Sequence, residues 1–288
     1  MITLAAVQHL DLPSTKEAPK QTDRAPAVEE TLPSWVPDWR TYQTFILSEP
    51  INPHCAHGTR LPDLTIDEKL RLSIRGIKVD VIEACSKPLK AKEFHLNSHS
   101  SGRTELTIES LWHNICGKQR FDLSETYLNG DLAFFAYMQT LSNGCVQIAT
   151  RGDRQYHEIP KSEWLAQEVA YLVSALGPSN AVAPDLYEKA KETEVKEGGD
   201  KWSRAANGAS KNRIFARTKT GYYVLGPKVM EVGHVVCVLF GGKMPFCVRP
   251  QGDNYLLVGE CYVYGLMRGE AIDMLEQGSF TEQRFDIV

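Results

Sequence analysis

The sequence predicts an α+β protein, with an antiparallel, β-rich, barrel-like body built from N- and C-terminal segments and a helical insertion between them. Three observations predict it. Apolar residues alternate at period two near residues 70–81, recur at three- and four-residue spacing between about 105 and 207, and alternate again from Arg213. The runs after Arg213 are broken by Gly-Pro, Gly-Gly, Pro-Gln-Gly-Asp and Arg-Gly turns, too short for crossover helices, so their strands pair antiparallel. At 288 residues the chain is long enough for a sizeable core. It reads as one domain, 1–288, with β-rich parts at 32–104 and 213–288 and a helical part at 105–207.

In chain order, "MITLAAV" has the pattern of a short strand. Residues 13–31, "PSTKEAPKQTDRAPAVEET", have little to bury and read as a surface strap. "LPSWVPDWR", residues 32–40, holds two tryptophans between two prolines; proline removes a backbone donor and extends the residue before it. Its indoles therefore sit on irregular chain, where they staple it to a sheet or line something concave. Leu70, Leu72 and Ile74, then Ile77, Val79 and Val81, alternate around Gly76, which fits two strands or one bent at the glycine. "LTIESLWHNICGK", "ETYLNGDLAFFAYMQTLSNG" and "PKSEWLAQEVAYLVSALG" read as amphipathic helices ending near glycine. The third has Ser162 as its cap and Trp164, Leu165, Val169, Leu172, Val173 and Leu176 as its inner face. "APDLYEKAKETEVKEGGDKWSRAANGA" begins as a charged helix with little apolar area and is expected on the surface.

Composition excludes several function classes. A net charge of -4 and a pI near 6.1 supply no basic field for a phosphate backbone, so nucleic acid is not an expected partner. No apolar run approaches the ~20 residues of a membrane span, and the N-terminus lacks the basic start of a secretion signal. The expectation is a soluble, cytoplasmic protein. Seven widely spaced cysteines without a CxxC pair read as free thiols. "HCAH" places His54, Cys55 and His57 together, but no fourth ligand follows at a zinc spacing, so it reads as a polar loop and no metal is expected. GxSxG, Walker, GxGxxG and HExxH patterns are all missing, and no cofactor is expected. Nothing in the sequence fixes an oligomeric state.

"LPSWVPDW" and the downstream run "RIFARTKTGYYVLGPKVMEVGHVVCVLFGGKMPFCVRPQGDNYLLVGECYVYGLMRGEAI" carry a resemblance. Thr220-Gly221, Leu225-Gly226-Pro227, Pro245-Phe246 with Arg249-Pro250, and Gly259-Glu260 through Gly269-Glu270 together resemble the C-terminal part of fungal heterokaryon-incompatibility (HET) proteins. About a third of the chain takes part. Two departures stand out. His234 occupies the place where the family carries an aspartate after glycine, and the signalling domain that names the family would precede Trp35, where about thirty mostly polar residues stand. The resemblance implies a C-terminal module standing apart from its signalling domain. It is also similar to HET-like proteins that form norbornene rings in diterpenoid pathways.

That analogy gives the leading functional expectation, a cofactor-independent intramolecular Diels-Alder cyclase of secondary metabolism acting on an apolar terpenoid or polyketide aldehyde. Such a reaction needs a pocket that holds a near-attack conformer and a donor to the aldehyde oxygen, and it needs no nucleophile. His234 and Tyr262 are the candidate donors; Trp35, Trp39, Tyr42, Phe45 and Tyr264 are the candidate substrate-binding surface. Tyr262, Tyr264 and Glu260 share one face of a regular strand, and Arg249 is expected to meet Glu260 or Glu270 because buried charge needs a partner. The alternative expectation is a non-catalytic interaction or regulatory module derived from incompatibility proteins.

Overall fold

A computed structural model describes residues 32–36, 53–96, 105–144, 146–150, 153–157, 160–192 and 199–288. The strands are β1 (Leu64–Ile66), β2 (Leu72–Cys85), β3 (Val146–Thr150), β4 (Asp153–His157), β5 (Arg213–Thr218), β6 (Tyr223–Pro227), β7 (Val235–Leu239), β8 (Phe246–Gln251), β9 (Asn254–Glu260), β10 (Tyr262–Val263) and β11 (Glu282–Ile287). The helices are α1 (Thr107–Asn114), α2 (Ala133–Ser142), α3 (Lys161–Leu176), α4 (Pro184–Glu192), α5 (Asp200–Ser210) and α6 (Glu270–Glu276). The architecture is α+β with a β-rich body, as the periodicity predicts. None of the described helices is long and apolar enough to cross a membrane.

Five strands close a ring. β2 pairs antiparallel with β11, β11 meets β9 in parallel at Ile287 and Tyr255, β9 pairs with β8, β8 with β7, and β7 returns to β2. Alternate residues of these strands, Leu72 and Ile74, Val235, Cys237 and Leu239, Phe246 and Val248, Phe285 and Ile287, gather with Leu257 into one buried cluster. Inward positions of a small barrel fill its interior in this way. The intervening residues Ile77, Val236, Val238, Cys247 and Val258 join a second, larger core that the ring shares with the helices.

β2 runs unbroken through Gly76, so of the two arrangements that the alternation allows, the single strand forms. A Cβ at Gly76 would lie 2.5 Å from the Val238 carbonyl oxygen and 3.0 Å from Leu239 Cα, so the missing side chain is what lets β7 approach. Beyond Val81 the register shifts, and the end of β2 pairs with β5, which continues through β6 to β10. One long strand thus belongs to both the ring and the sheet beside it.

The helices differ from the sequence reading in instructive places. In "ETYLNGDLAFFAYMQTLSNG" the first eight residues form no helix: Gly130, at φ +84°, turns the chain, Tyr127 N bonds Asp131 O, and α2 starts only at Ala133. All ten residues of α2 are buried, which makes it the central helix. A two-stranded hairpin, β3 with β4, lies inside the part expected to be helical. α3 begins after Pro160, and Ser162 makes no capping bond. The segment expected on the surface contains α5, whose Trp202 is fully buried against Tyr171 and Phe94 and donates Nε1 to Met138 O at 3.1 Å. A charged flank hid one large anchor. The opening strand, the 13–31 strap and the second half of the tryptophan stretch lie outside the described residues.

Candidate functional site

The sequence-singled residues fall in three places. Trp35 lies half-buried against the ring's inner cluster and donates its indole Nε1 to Leu70 O at 2.9 Å. Beside it, Ser34 N donates to Val288 O at 3.1 Å and Ser34 Oγ accepts from Leu257 N at 2.9 Å. "LPSWV" therefore clasps the seam where β9 and β11 meet, the ring's one parallel contact. Trp39, Tyr42 and Phe45 lie outside the described residues.

His234, just before β7, is buried, and Arg249 Nε donates to its Nε2 at 3.0 Å. A guanidinium only donates, so Nε2 is the bare nitrogen and Nδ1 carries the ring proton, 3.7 Å from Cys247 Sγ. The Glu231 amide, 3.2 Å from Nδ1, is then a close neighbour rather than a donor. Burial first and Arg249 second pull the imidazole down to about 4, against the opposing pull of Glu231, so it is neutral near pH 7. Arg249 finds Glu231, at 3.8 Å, and His234 rather than Glu260 or Glu270. His234 is thus a neutral imidazole capped by the Arg249 cation.

Tyr262 and Tyr264 lead to the third place, where β10 passes along α2. The Tyr262 ring stacks 5.6 Å from His54, and a Cβ on Gly144, at the end of α2, would sit 2.7 Å from its hydroxyl. Tyr264 donates to Asp131 Oδ2 at 2.6 Å and meets Phe135 edge-on at 6.0 Å. Lys161, at the start of α3, pairs with the same Asp131 and lies over the Phe135 ring. Burial raises the Asp131 carboxyl, but the bonds from Lys161 and Tyr264 outweigh it and hold the group below its usual range. Burial also pulls His54 down to about 4, although its bond with Asn143 works the other way.

Between α2 and α3 lies a group that the sequence reading passed over. Glu168 is fully buried, and burial pushes its carboxyl well above the usual range, although Gln139 Nε2 donates to Oε1 at 2.7 Å. With Oε1 accepting, the proton sits on Oε2. That atom, Trp164 Nε1 and Gln167 Oε1 are buried without a hydrogen-bond partner among the described residues. Trp164, Gln167 and Glu168 share one face of α3 at i, i+3 and i+4, while Gln139 and Asn143 stand one turn apart on α2. Two donors and one acceptor, none charged, therefore occur on one face of α3. Orphaned polar atoms of this kind mark places where a fold serves something besides stability. The signal in the sequence was a Gln-Glu pair in register with Trp164 and Tyr171 on a buried face.

Elsewhere, Glu105, just before α1, and Glu109 and His113 on it bring ligand atoms within 4.8 Å of one another, and His113 already bonds Glu105 and Gln119 O.

The ring and the sheet beside it have a counterpart. Residues 185–281 match the Het-6 beta-barrel domain. The Het-6 barrel region begins in α4 and stops one residue before β11, so it covers β5 to β10 but neither β2 nor β11, the two strands that join it to the rest of the chain. Heterokaryon incompatibility protein 6, OR allele, of Neurospora crassa is 43% identical over 67 residues, 22% of this chain and 10% of that protein. The C-terminal region is therefore related to heterokaryon-incompatibility proteins, in line with the resemblance read from the sequence. The matched stretch spans about a tenth of the length of that curated relative. No solved structure matches the chain.

Proposed function

We propose that this chain is a recognition module of the heterokaryon-incompatibility type, one that binds a partner polypeptide by adding an extended segment to the free edge of β1. The observation that carries this reading is the surface around β1. Among the described residues that three-residue strand pairs only with β2, and Leu61 (81% exposed), Leu70 (54%) and Ile66 (50%) stand around it, with Leu32 near Trp35. An exposed edge fringed by large apolar side chains is a ready template for strand addition, main-chain bonds giving affinity and side chains giving choice of partner. The similarity to an incompatibility protein supports the biological setting, and the ring's inward side chains form a buried apolar cluster.

The test is a strain-pairing assay with the full gene carrying Ile66→Lys or Leu70→Lys. Both variants should lose growth arrest on pairing while keeping their melting temperature within about 2 °C, since exposed substitutions rarely move stability by more than ~0.5 kcal/mol. Wild-type arrest in both variants sinks the reading.

A second reading keeps the intramolecular [4+2] cyclase of an apolar terpenoid or polyketide aldehyde, and what favours it is Glu168. A neutral carboxylic acid held away from water is a strong donor to a developing oxyanion, and Tyr264 and Tyr262 border the same helices. On this reading a polyene aldehyde incubated with the protein yields a product of unchanged mass, and Glu168→Ala slows its formation by 10²-fold or more. Absence of isomerisation across a panel of such aldehydes removes this reading and leaves the first untouched.

A further inference from the structure

We propose that Cys55 is a nucleophilic thiol with His57 as its base, and that it takes α,β-unsaturated carbonyl compounds by conjugate addition. The pair sits in the "HCAH" loop, next to His54, whose ring meets Tyr262. Cys55 N donates to Met267 O at 2.8 Å and Ala56 N to Lys243 O at 2.9 Å, so the loop is tied down at both residues. Gly58 N to Cys55 O and Arg60 N to His57 O close two successive turns, and Gly58, at φ +54°, packs against Gly269 and Ile272. The backbone carrying the two side chains is thereby fixed.

The imidazole is oriented by a third group. His57 Nδ1 lies 2.9 Å from Arg60 O. A carbonyl only accepts, so Nδ1 carries the proton and the lone pair is on Nε2, which faces Cys55 Sγ at 3.6 Å. Nucleophile, base and orienting acceptor therefore stand in the sequence that activates thiols in enzymes, within the looser distances of an unliganded site. At rest Cys55 Sγ donates to the Gly58 carbonyl at 3.2 Å, and the base takes that proton as sulfur attacks. Lys243 lies within electrostatic reach of the sulfur, a cation that favours negative charge there. Cys55 is half-buried, whereas Cys116, Cys237, Cys247 and Cys261 are buried outright; Cys85 is half-buried too but has no imidazole bonded to it.

The surroundings select the class of electrophile. Acyl transfer calls for adjacent free backbone amides around the developing oxyanion; the amides of Cys55 and of Ala56, which follows it, are spent on the Met267 and Lys243 carbonyls, and that of Gly58 on Cys55 O, so no two neighbouring amides of the loop are left. Conjugate addition has smaller needs. The thiol proton passes to His57 Nε2 as sulfur bonds to the β-carbon. The alkene electron pair moves to the carbonyl oxygen as an enolate that the Lys243 ammonium stabilises. The imidazolium then returns its proton to the α-carbon. Thiol and enone become one thioether, with no leaving group and no oxidant.

The full chain treated with limiting 2-cyclohexen-1-one and mapped by peptide mass should carry the adduct at Cys55 at least tenfold faster than at Cys85. His57→Gln should slow Cys55 by tenfold or more, Lys243→Met by about threefold, and Cys55→Ser should remove the fast phase, with circular dichroism confirming that each variant folds. Should His57→Gln fail to fold, the wild-type pH profile decides. A base-assisted thiol levels off near neutral pH, whereas an unassisted one climbs tenfold per unit toward its ordinary value near 8.5. Equal labelling of Cys55 and Cys85, or an unassisted profile, overturns the proposal, and neither outcome touches the β1 surface.

Discussion

Glu168 shows how much one residue can reveal when its environment contradicts its chemistry. An ionised carboxylate does not survive full burial with one neutral hydrogen bond, so the side chain is held as the acid in the folded chain and released as the anion in the unfolded one. Its folded value is raised, so its contribution is most favourable below the unfolded value and is lost progressively as pH climbs. Glu168→Gln keeps the shape and the acceptor for Gln139 while removing the ionisation. That variant should be more stable than the parent at pH 8, by on the order of 1–2 kcal/mol, and should gain much less at pH 5, as followed by thermal melts at the two pH values. A parent that melts identically to the variant at both would mean the acid is not buried. Residue type alone could not have shown this, because a Glu inside "WLAQEVAYL" looks like any solvated position of an amphipathic helix. Only its register with Trp164 and Tyr171 places it inside, and register became visible once the buried face proved to run through Gln167 and Glu168 rather than Leu165 and Val173.

At the scale of elements, β2 was legible almost to the residue, and its cause was legible too. Alternation interrupted by one glycine left two arrangements open, and the approach of β7 decides for the continuous strand. Gly76→Ala drives a methyl into the Val238 carbonyl, so the variant should lose roughly 2 kcal/mol or more, read as a drop in denaturant midpoint at unchanged slope. Wild-type stability would show that β7 can move away. The ends of helices were less legible, for local reasons. Asn129-Gly130 breaks an apolar pattern that otherwise suits a helix, and the β3–β4 hairpin sits where the period gave no warning. Trp202 shows the opposite error, since a helix rich in lysine and glutamate can still hang from a single buried indole.

For the whole molecule, the α+β class and the β-rich body follow from period and turn spacing, whereas the closure of five strands into a ring depends on three pairings between strands apart in sequence, β2 with β11, β2 with β7 and β9 with β11, that no local pattern encodes. The candidate site was half legible: Tyr262 and Tyr264 stand beside α2, but their companions Glu168, Gln139 and His54 come from segments far apart in sequence. Acid should act on the molecule as a unit through its two buried histidines. Both His54 and His234 are lowered from 6.5 to about 4, the first facing Asn143, Tyr262, Lys243 and Arg268, the second Arg249, Glu231 and Cys247. The unfolded chain therefore binds more protons between pH 6.5 and 4, and stability falls as pH drops through that window. His54 alone accounts for about 3–4 kcal/mol of it at ~1.4 kcal/mol per unit. Melting temperatures measured from pH 7 to 4 should decline steeply for the parent and visibly less for His54→Gln with His234→Gln. Parallel curves would assign acid sensitivity elsewhere.

The clasp at Ser34 reaches a residue 254 positions away, and β2 waits for β11 across most of the chain. During translation at ~5–20 residues per second, β2 leaves the ribosome some 10–40 seconds before its C-terminal neighbour exists. For that interval the nascent chain holds those apolar strands without their partners, the stage at which such a chain is most prone to aggregate.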